Sequence, residues 1–385
     1  MHSSLKYRRI LFILTIIAIF MASNIYTLIP IYAVVANSLD MPEGSVVLAG
    51  SLFTMFYGFG LLSLGPVSDY TGRKKIMIFG LLASAVTTMA VGISSGPLSL
   101  WLSRSAQGFT IASFASVAFA YAYDLFPFKQ RTLLVVLINT GFLVAGIFGQ
   151  VASSIITLFF SWNTVYTFFA VTYVILFAAA LIVLPDSKPR LRNGAPLRKV
   201  FWTLLTHGSL AKCYLIAFTL LFSVVAFYDS LGRSFSGTDY ELFTIRMVGL
   251  IGAIVSLFTG KLIEKYGEVK TVISGLVMGA TSTILILLID SQVALVLFSI
   301  LFVSSISLLI PTVITMIGTF AGDERAKALS LYSFVLLTGA SLAPPIVSLV
   351  TFQAILLLLS VLYSVNLVLC LLLSKERKAE MVKEA

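Results

Sequence analysis

Apolar runs of eighteen or more residues follow one another along almost the whole sequence, and they leave few folds open. A run of that length crosses a hydrocarbon core of about 30 Å as one helix. A helix also satisfies its own backbone polar groups where no water is available. Twelve candidate helices are read at 10–36, 45–65, 76–94, 98–124, 132–157, 163–184, 211–231, 242–262, 270–289, 293–320, 327–349 and 353–374. A membrane β-barrel would show ten-residue alternation instead of continuous apolar runs. Composition agrees: 59% of residues are apolar and 11% charged, against about 25% charged in soluble domains. The expected fold class is an all-α integral membrane protein.

The first run is too long for a signal peptide, and no small-x-small cleavage site follows it, so it is expected to stay as a helix. With the N-terminus placed inside, the cytoplasmic segments collect 23 of the 26 Lys and Arg residues. Arg233 falls in an outer loop, and Arg104 and Arg246 fall within helices. Outer loops hold Asp40, Glu43, Asp229, Asp239, Glu241 and Asp290. Both termini are thus expected in the cytoplasm, and the net charge of +10 reports topology without any nucleic-acid partner. Cys213 and Cys370 fall near the cytoplasmic side, where a disulfide is not expected. One long polar connector divides the chain into an N-terminal six-helix bundle (1–184), a linker (185–209) and a C-terminal six-helix bundle with a short tail (210–385). Within the linker, 198–205 has cations on one side and aromatics on the other, as a helix lying on a lipid surface would.

Between the second and third helices stands Gly65-Pro-Val-Ser-Asp69-Tyr-Thr-Gly72-Arg73-Lys74-Lys75. Glycine, carboxylate, glycine and cation recur at the same offsets in Gly260, Glu264, Gly267 and Lys270. Cations at the start of a helix oppose its dipole, so Arg73, Lys74 and Lys75 need carboxylate partners. Asp69, in the loop, and Asp124 with Arg131, flanking the next cytoplasmic loop, are the candidates. Gly72 is expected to permit a tight turn and Gly65 a close helix approach. The network reads as a cytoplasmic latch that holds one conformation; the alternative is a plain positive-inside anchor.

The 65–75 turn resembles the signature loop of the major facilitator superfamily, Gly-x3-Asp-x2-Gly-Arg-[Arg/Lys], and the copy at 260–270 is a degraded form of it. Arg104-Ser-Ala-Gln107-Gly108 resembles the Arg-x-x-Gln-Gly motif of the superfamily's drug/proton antiporters, and Asp124-x-x-Pro127-x3-Arg131 its loop between helices four and five. Where those antiporters carry Gly-Pro-x-x-Gly-Gly in helix five, this chain has Gly149-Gln150-Val-Ala-Ser153-Ser154, without the proline. Pro185-Asp186-Ser-Lys-Pro189-Arg190 is only loosely similar to the end of helix six in sugar porters. The resemblance implies twelve helices in two pseudo-symmetric bundles, a duplicated membrane architecture of the kind that secondary transporters use.

Arg104 stands out without any relative. An Arg near a helix centre costs about 2.5–3.5 kcal/mol on insertion scales, so it should face the bundle interior or water. No carboxylate lies inside any N-half helix proper, away from its ends, which leaves backbone carbonyls, Gln107, Tyr26 or Tyr32 as its expected neighbours. In the antiporters it resembles, this Arg is implicated in proton coupling; a helix-packing role is the alternative. Further cavity candidates are Asn24, Tyr26, Asn139, Gln150, Tyr228 and Tyr332. Asp229/Arg233 and Glu241/Arg246 could form an outer gate or be ordinary helix-end charges.

No cofactor or metal is expected: there is no nucleotide-binding loop and no His/Cys/carboxylate metal spacing. Catalysis is therefore not expected either. The leading functional expectation is a monomeric transporter of a plasma (inner) membrane, working by alternating access. It would exchange protons for small hydrophobic or drug-like compounds moving outward. Proton- or sodium-linked uptake of a small metabolite is one alternative, and a non-transporting receptor or scaffold another.

Overall fold

The computed structural model describes residues 2–126, 128–186, 197–235, 237–289 and 291–384. Among these, the chain is helical, without a strand. Among the described residues, nine helices are long and apolar enough to cross a membrane, or ten if one bent pair counts as a single span. The chain divides into two compact units, Met1–Gly194 and Ala195–Ala385.

The first unit contains α1 (His2–Ser23), α2 (Tyr32–Ser38), α3 (Glu43–Thr71), α4 (Arg73–Gly92), α5 (Pro97–Leu125), α6 (Phe128–Phe159) and α7 (Trp162–Val183). Its main packings are α3 on α5, α4 on α5, α4 on α7 and α1 on α6. Small residues set the closest approaches. A Cβ on Gly60 would overlap Ala112 and the Phe109 carbonyl; one on Gly108 would overlap the Phe53 carbonyl; one on Gly149 would overlap the Ser23 carbonyl. Helices approach this closely in a bilayer because dispersion contacts, and not water exclusion, drive their association. Gly65 is not among these points: its Cβ would make an ordinary 3.5 Å contact with the Ser116 carbonyl. The tight α3–α5 contact lies nearer the start of α3, at Gly60 and where Gly108 meets Phe53.

The expected first helix, 10–36, is broken. Pro30 has no N–H to return to the Tyr26 carbonyl, so the chain tightens into i→i+3 turns between Ala22 and Ile31 before α2 begins. The break leaves the Asn24 carbonyl outside the helical ladder.

The second unit contains α8 (Leu197–Thr206), α9 (Gly208–Ser234), α10 (Asp239–Gly249), a 3-10 stretch (Leu250–Phe258), α11 (Thr259–Tyr266), α12 (Glu268–Leu288), α13 (Gln292–Phe320), α14 (Arg325–Val347) and α15 (Phe352–Glu384). The helix expected at 242–262 is thus replaced by three pieces, with a bend of 45° between 244–256 and 259–266. Gly252 explains the close approach there: its missing Cβ lets the 3-10 stretch press on the Ile300 carbonyl and Ser304 of α13. The packings are α9 on α14, α12 on α13, α12 on α15 and the 3-10 stretch on α13. Within each unit the same helix pairs meet in the same order, as a duplicated half requires. The amphipathic segment is helical as read: Val200 and Leu204 of α8 are buried while Trp202 is exposed, and α8 packs on α9 and α14. Cys213 and Cys370 are both buried free thiols.

Candidate functional site

In the first unit, Arg104 is completely buried, as a charge kept away from lipid should be. Its two terminal nitrogens donate to the freed Asn24 carbonyl at 3.3 and 3.4 Å, and Nη1 also donates to Gln107 Oε1 at 2.5 Å. The guanidinium carbon lies 4.2 Å from the centroid of the Phe53 ring, a cation–π contact. Gln107 Nε2 in turn donates to Asn24 Oδ1 (2.8 Å) and Thr88 Oγ1 (2.9 Å). Asn24 Nδ2 donates to the Tyr173 hydroxyl, which donates to the Phe20 carbonyl at 2.9 Å. Five helices thus contribute to one buried polar cluster. Among the described residues no carboxylate is bonded to Arg104, and its Nε has no hydrogen-bond partner. A guanidinium held only by neutral acceptors keeps its charge unneutralised, in a setting where electrostatic interactions are strong.

The sequence pointed to Gln107 and a backbone carbonyl as neighbours, and both are there. Tyr32 lies near the guanidinium, together with Tyr166 and Tyr173; Tyr26 instead packs toward Gly146 of α6.

The α3–α4 turn is shorter than read. Both helices extend until only Gly72 separates them, at φ 94°, a backbone conformation favourable to glycine. Asp69 therefore sits in the last turn of α3 and not in a loop. Arg73 joins the ends of three helices: it bonds Asp69 (3.2 Å), Asp124 and the Ala120 carbonyl (2.6 Å). Lys74 reaches Asp186, beyond the end of α7, at 2.9 Å. The Tyr121 hydroxyl donates to the neighbouring Pro185 carbonyl at 2.6 Å. The Arg131 and Asn139 side chains lie outside the described residues.

Asp186 is fully exposed, and the hydrogen bond and charge of Lys74 hold its carboxyl below the usual carboxylate range. Its stabilising contribution is thus present at neutral pH and is lost as pH falls through that depressed pKa. Asp186→Asn should lower the thermal midpoint at pH 7 in low salt. The difference from wild type should close as pH falls below the carboxylate range or as salt is added. Melting curves over pH and salt check this.

The second copy reproduces the backbone but not the ion pairs. Gly267 has φ 82°, matching Gly72. Glu264 is exposed and is in no ion pair among the described residues, and Gly260 has open space around it. Gly267 shapes the turn of this copy, while Gly260 lies within α11 and the carboxylate closes nothing in this conformation.

The four-charge outer gate does not assemble. Asp229 and Arg233 pair at 3.2 Å, one helical turn apart on α9. Glu241 instead caps α10, accepting from the Thr238 N–H (2.8 Å) and hydroxyl (3.1 Å). The N–H of Thr238 is the larger cause, ahead of its hydroxyl and Gln292, that lowers the Glu241 pKa. Arg246 donates to the Tyr228 carbonyl at 3.2 Å. Gln150 donates to the Gly146 carbonyl of its own helix (2.9 Å). Tyr332 is buried, and its hydroxyl has no hydrogen-bond partner among the described residues.

Sequence reasoning missed Phe53, Thr88, Tyr121, Tyr173 and Asp186. For Thr88 a signal existed: it stands to Thr283 at the spacing that separates Gly65 from Gly260, and so does Asn24 to Thr219. Thr219 accepts from Asn366, and Thr283 bonds Ser360 at 2.9 Å, linking α9 with α15 and α12 with α15. The second unit thus keeps the hydrogen-bonded polar positions of the first. Ser299 and Phe302 stand where Arg104 and Gln107 would fall at the same spacing.

Comparison with known proteins agrees with this architecture. The sequence model of the Major Facilitator Superfamily matches residues 11–252 and 213–385. An uncharacterized MFS-type transporter of Bacillus subtilis, YybF, is 26% identical over 328 residues, covering 82% of this chain and 80% of the relative. Multidrug resistance protein D of Escherichia coli is 25% identical over 197 residues, 51% of this chain and 49% of the relative. A bicyclomycin resistance protein homolog of Haemophilus influenzae is 28% identical over 172 residues, 44% and 42% of the two chains. None of the three is named as an enzyme. With the family model matched twice along the chain and apolar helices in both units, the protein is a multi-pass membrane transporter that belongs to the Major Facilitator Superfamily.

Proposed function

We propose that this transporter exports small hydrophobic or drug-like compounds in exchange for protons, by alternating access between two six-helix bundles. Both termini lie in the cytoplasm of a cell bounded by the plasma membrane in which it works as a monomer. The observation that carries the reading is the Arg104 cluster: a permanent positive charge fixed in the first unit by Asn24, Gln107 and Phe53. Such a charge raises the cost of placing a second cation nearby, so a proton or a cationic substrate is held weakly there and released readily. Asp229, paired with Arg233, is the proposed proton acceptor at the outer end. Tyr332, buried with its hydroxyl unpartnered among the described residues, is a proposed contact for the substrate. The drug-resistance names of two relatives support the outward direction.

The Asp69/Arg73/Asp124 cluster is the proposed latch, stabilising the state in which the cytoplasmic side is closed. A ligand or proton shifts that state only by binding the two conformations unequally. Asp69→Asn should preserve insertion, slow turnover several-fold and broaden the distance distribution between spin labels across the cytoplasmic side. Unchanged turnover and distances would reduce the cluster to an anchor.

The decisive assay uses everted vesicles holding a pH gradient reported by a fluorescent probe. Addition of a lipophilic cation or a neutral drug should discharge the gradient; sugars and amino acids should not. Discharge by a metabolite alone would overturn the efflux reading in favour of uptake.

A further inference from the structure

The two glycine turns have the same backbone and opposite charge economies. In the first, Arg73 and Lys74 are matched by Asp69, Asp124 and Asp186. In the second, Lys261, Lys265 and Lys270 are exposed, and none is in an ion pair among the described residues. Lys265 extends over the Tyr266 ring, 5.1 Å from its centroid, and that ring is half exposed. Two carboxylates share the region: exposed Glu264, and Glu268, which accepts from the Thr319 hydroxyl at 3.0 Å. Beside them lies a cavity of about 240 Å³, walled by Leu262, Tyr266, Lys270, Thr271, Ser274 and Leu308.

We propose that this cavity holds the headgroup phosphate of one anionic phospholipid. The phosphate sits against Lys270 and the first turn of α12, whose N–H groups have no partners within the helix. Thr271 and Ser274 already donate to the Gly267 and Lys270 carbonyls, so the anion is held by ammonium and backbone and not by these hydroxyls. Leu262 and Leu308 form an apolar wall, which fits the root of an acyl chain and which a free phosphate would leave wetted. Lys261 and Lys265 add long-range attraction to the same anion. The site goes beyond the proposed transport cycle, and it draws only on the orientation that puts this turn at the inner membrane face. Where the first turn closes on its own carboxylates, the second is completed by the bilayer.

Native mass spectrometry of the full chain in micelles tests this, with phosphatidylglycerol titrated against phosphatidylcholine. One phosphatidylglycerol should bind tightly and phosphatidylcholine should not compete. Each lysine near an anionic surface contributes about 1 kcal/mol, so K265Q/K270Q should weaken that binding by about 20- to 30-fold. The charge-matched tail variant K378Q/K383Q should leave it unchanged. Equal binding of phosphatidylcholine, an equal loss in the tail variant, or undiminished binding in K265Q/K270Q would overturn the proposal. Displacement by an excess of inorganic phosphate would reassign the site to the free ion and overturn the lipid commitment. Lipid occupancy is read without any transport, so its failure is separable from failure of the efflux reading.

Discussion

Arg104→Ala should reach the membrane in normal amounts and lose gradient-coupled turnover by about two orders of magnitude. Insertion should not suffer, because the substitution removes a residue that costs about 2.5–3.5 kcal/mol at a helix centre. Turnover should fall because the cluster loses its guanidinium. Charge-assisted hydrogen bonds are worth about 1.5–3 kcal/mol each, and Arg104 makes them to Gln107 and to the Asn24 carbonyl. Without Arg104, Gln107 Oε1 loses its buried donor, and the Asn24 carbonyl is left with the Thr27 hydroxyl at 3.3 Å. Arg104→Lys should fall between wild type and Ala. It keeps the charge, but an ammonium cannot chelate the carbonyl with two nitrogens while lying flat on Phe53. The pH-gradient assay on vesicles matched for protein content reads all three. Turnover of Arg104→Ala within twofold of wild type would leave the residue a helix-packing element.

Gly108→Ala should be among the most damaging of the conservative glycine changes, with a loss of about 1–3 kcal/mol of stability from overpacking. The added Cβ would overlap the carbonyl of Phe53 on the facing helix. A backbone cannot rotate away as a flexible side chain can, so α3 and α5 must move apart. Because Phe53 also carries the ring against Arg104, the same change should depress turnover. Gly65→Ala, five residues beyond the Gly60 contact, meets an ordinary 3.5 Å contact and should stay within about 0.5 kcal/mol of wild type. Thermal unfolding in detergent compares the two. Equal midpoints would mean that the α3–α5 contact is looser than the packing implies.

The membrane fold was legible because its cause is one-dimensional: a continuous apolar run needs no knowledge of its neighbours to be recognised. The breaks were less legible. Pro30 is visible in the sequence, but its effect was masked by the apolar residues around it, which kept 10–36 looking like one helix. Gly252 marks the close approach at 244–266 only once Ile300 and Ser304 are known to face it. The site divides in the same way. Arg104 and Gln107 were found because a charge and an amide among apolar residues are anomalous wherever they point. Phe53 had no such signal, being one aromatic among many, and it became part of the site through packing alone. Asp186 was visible as a carboxylate, yet nothing in the linear order joined it to Lys74, more than a hundred residues earlier.

The solitary charge of Arg104 also ties the protein to the voltage of its membrane. A unit charge that crosses the whole field changes energy by about 2.3 kcal/mol per 100 mV. With no carboxylate bonded to it among the described residues, any displacement of Arg104 along the membrane normal takes a net positive charge through part of that drop. A tenth of the field at 100 mV is worth about 0.2 kcal/mol, a bias present even when the cargo is neutral. An electrically silent exchange of substrates can therefore still rest on an equilibrium that the cell's resting potential sets.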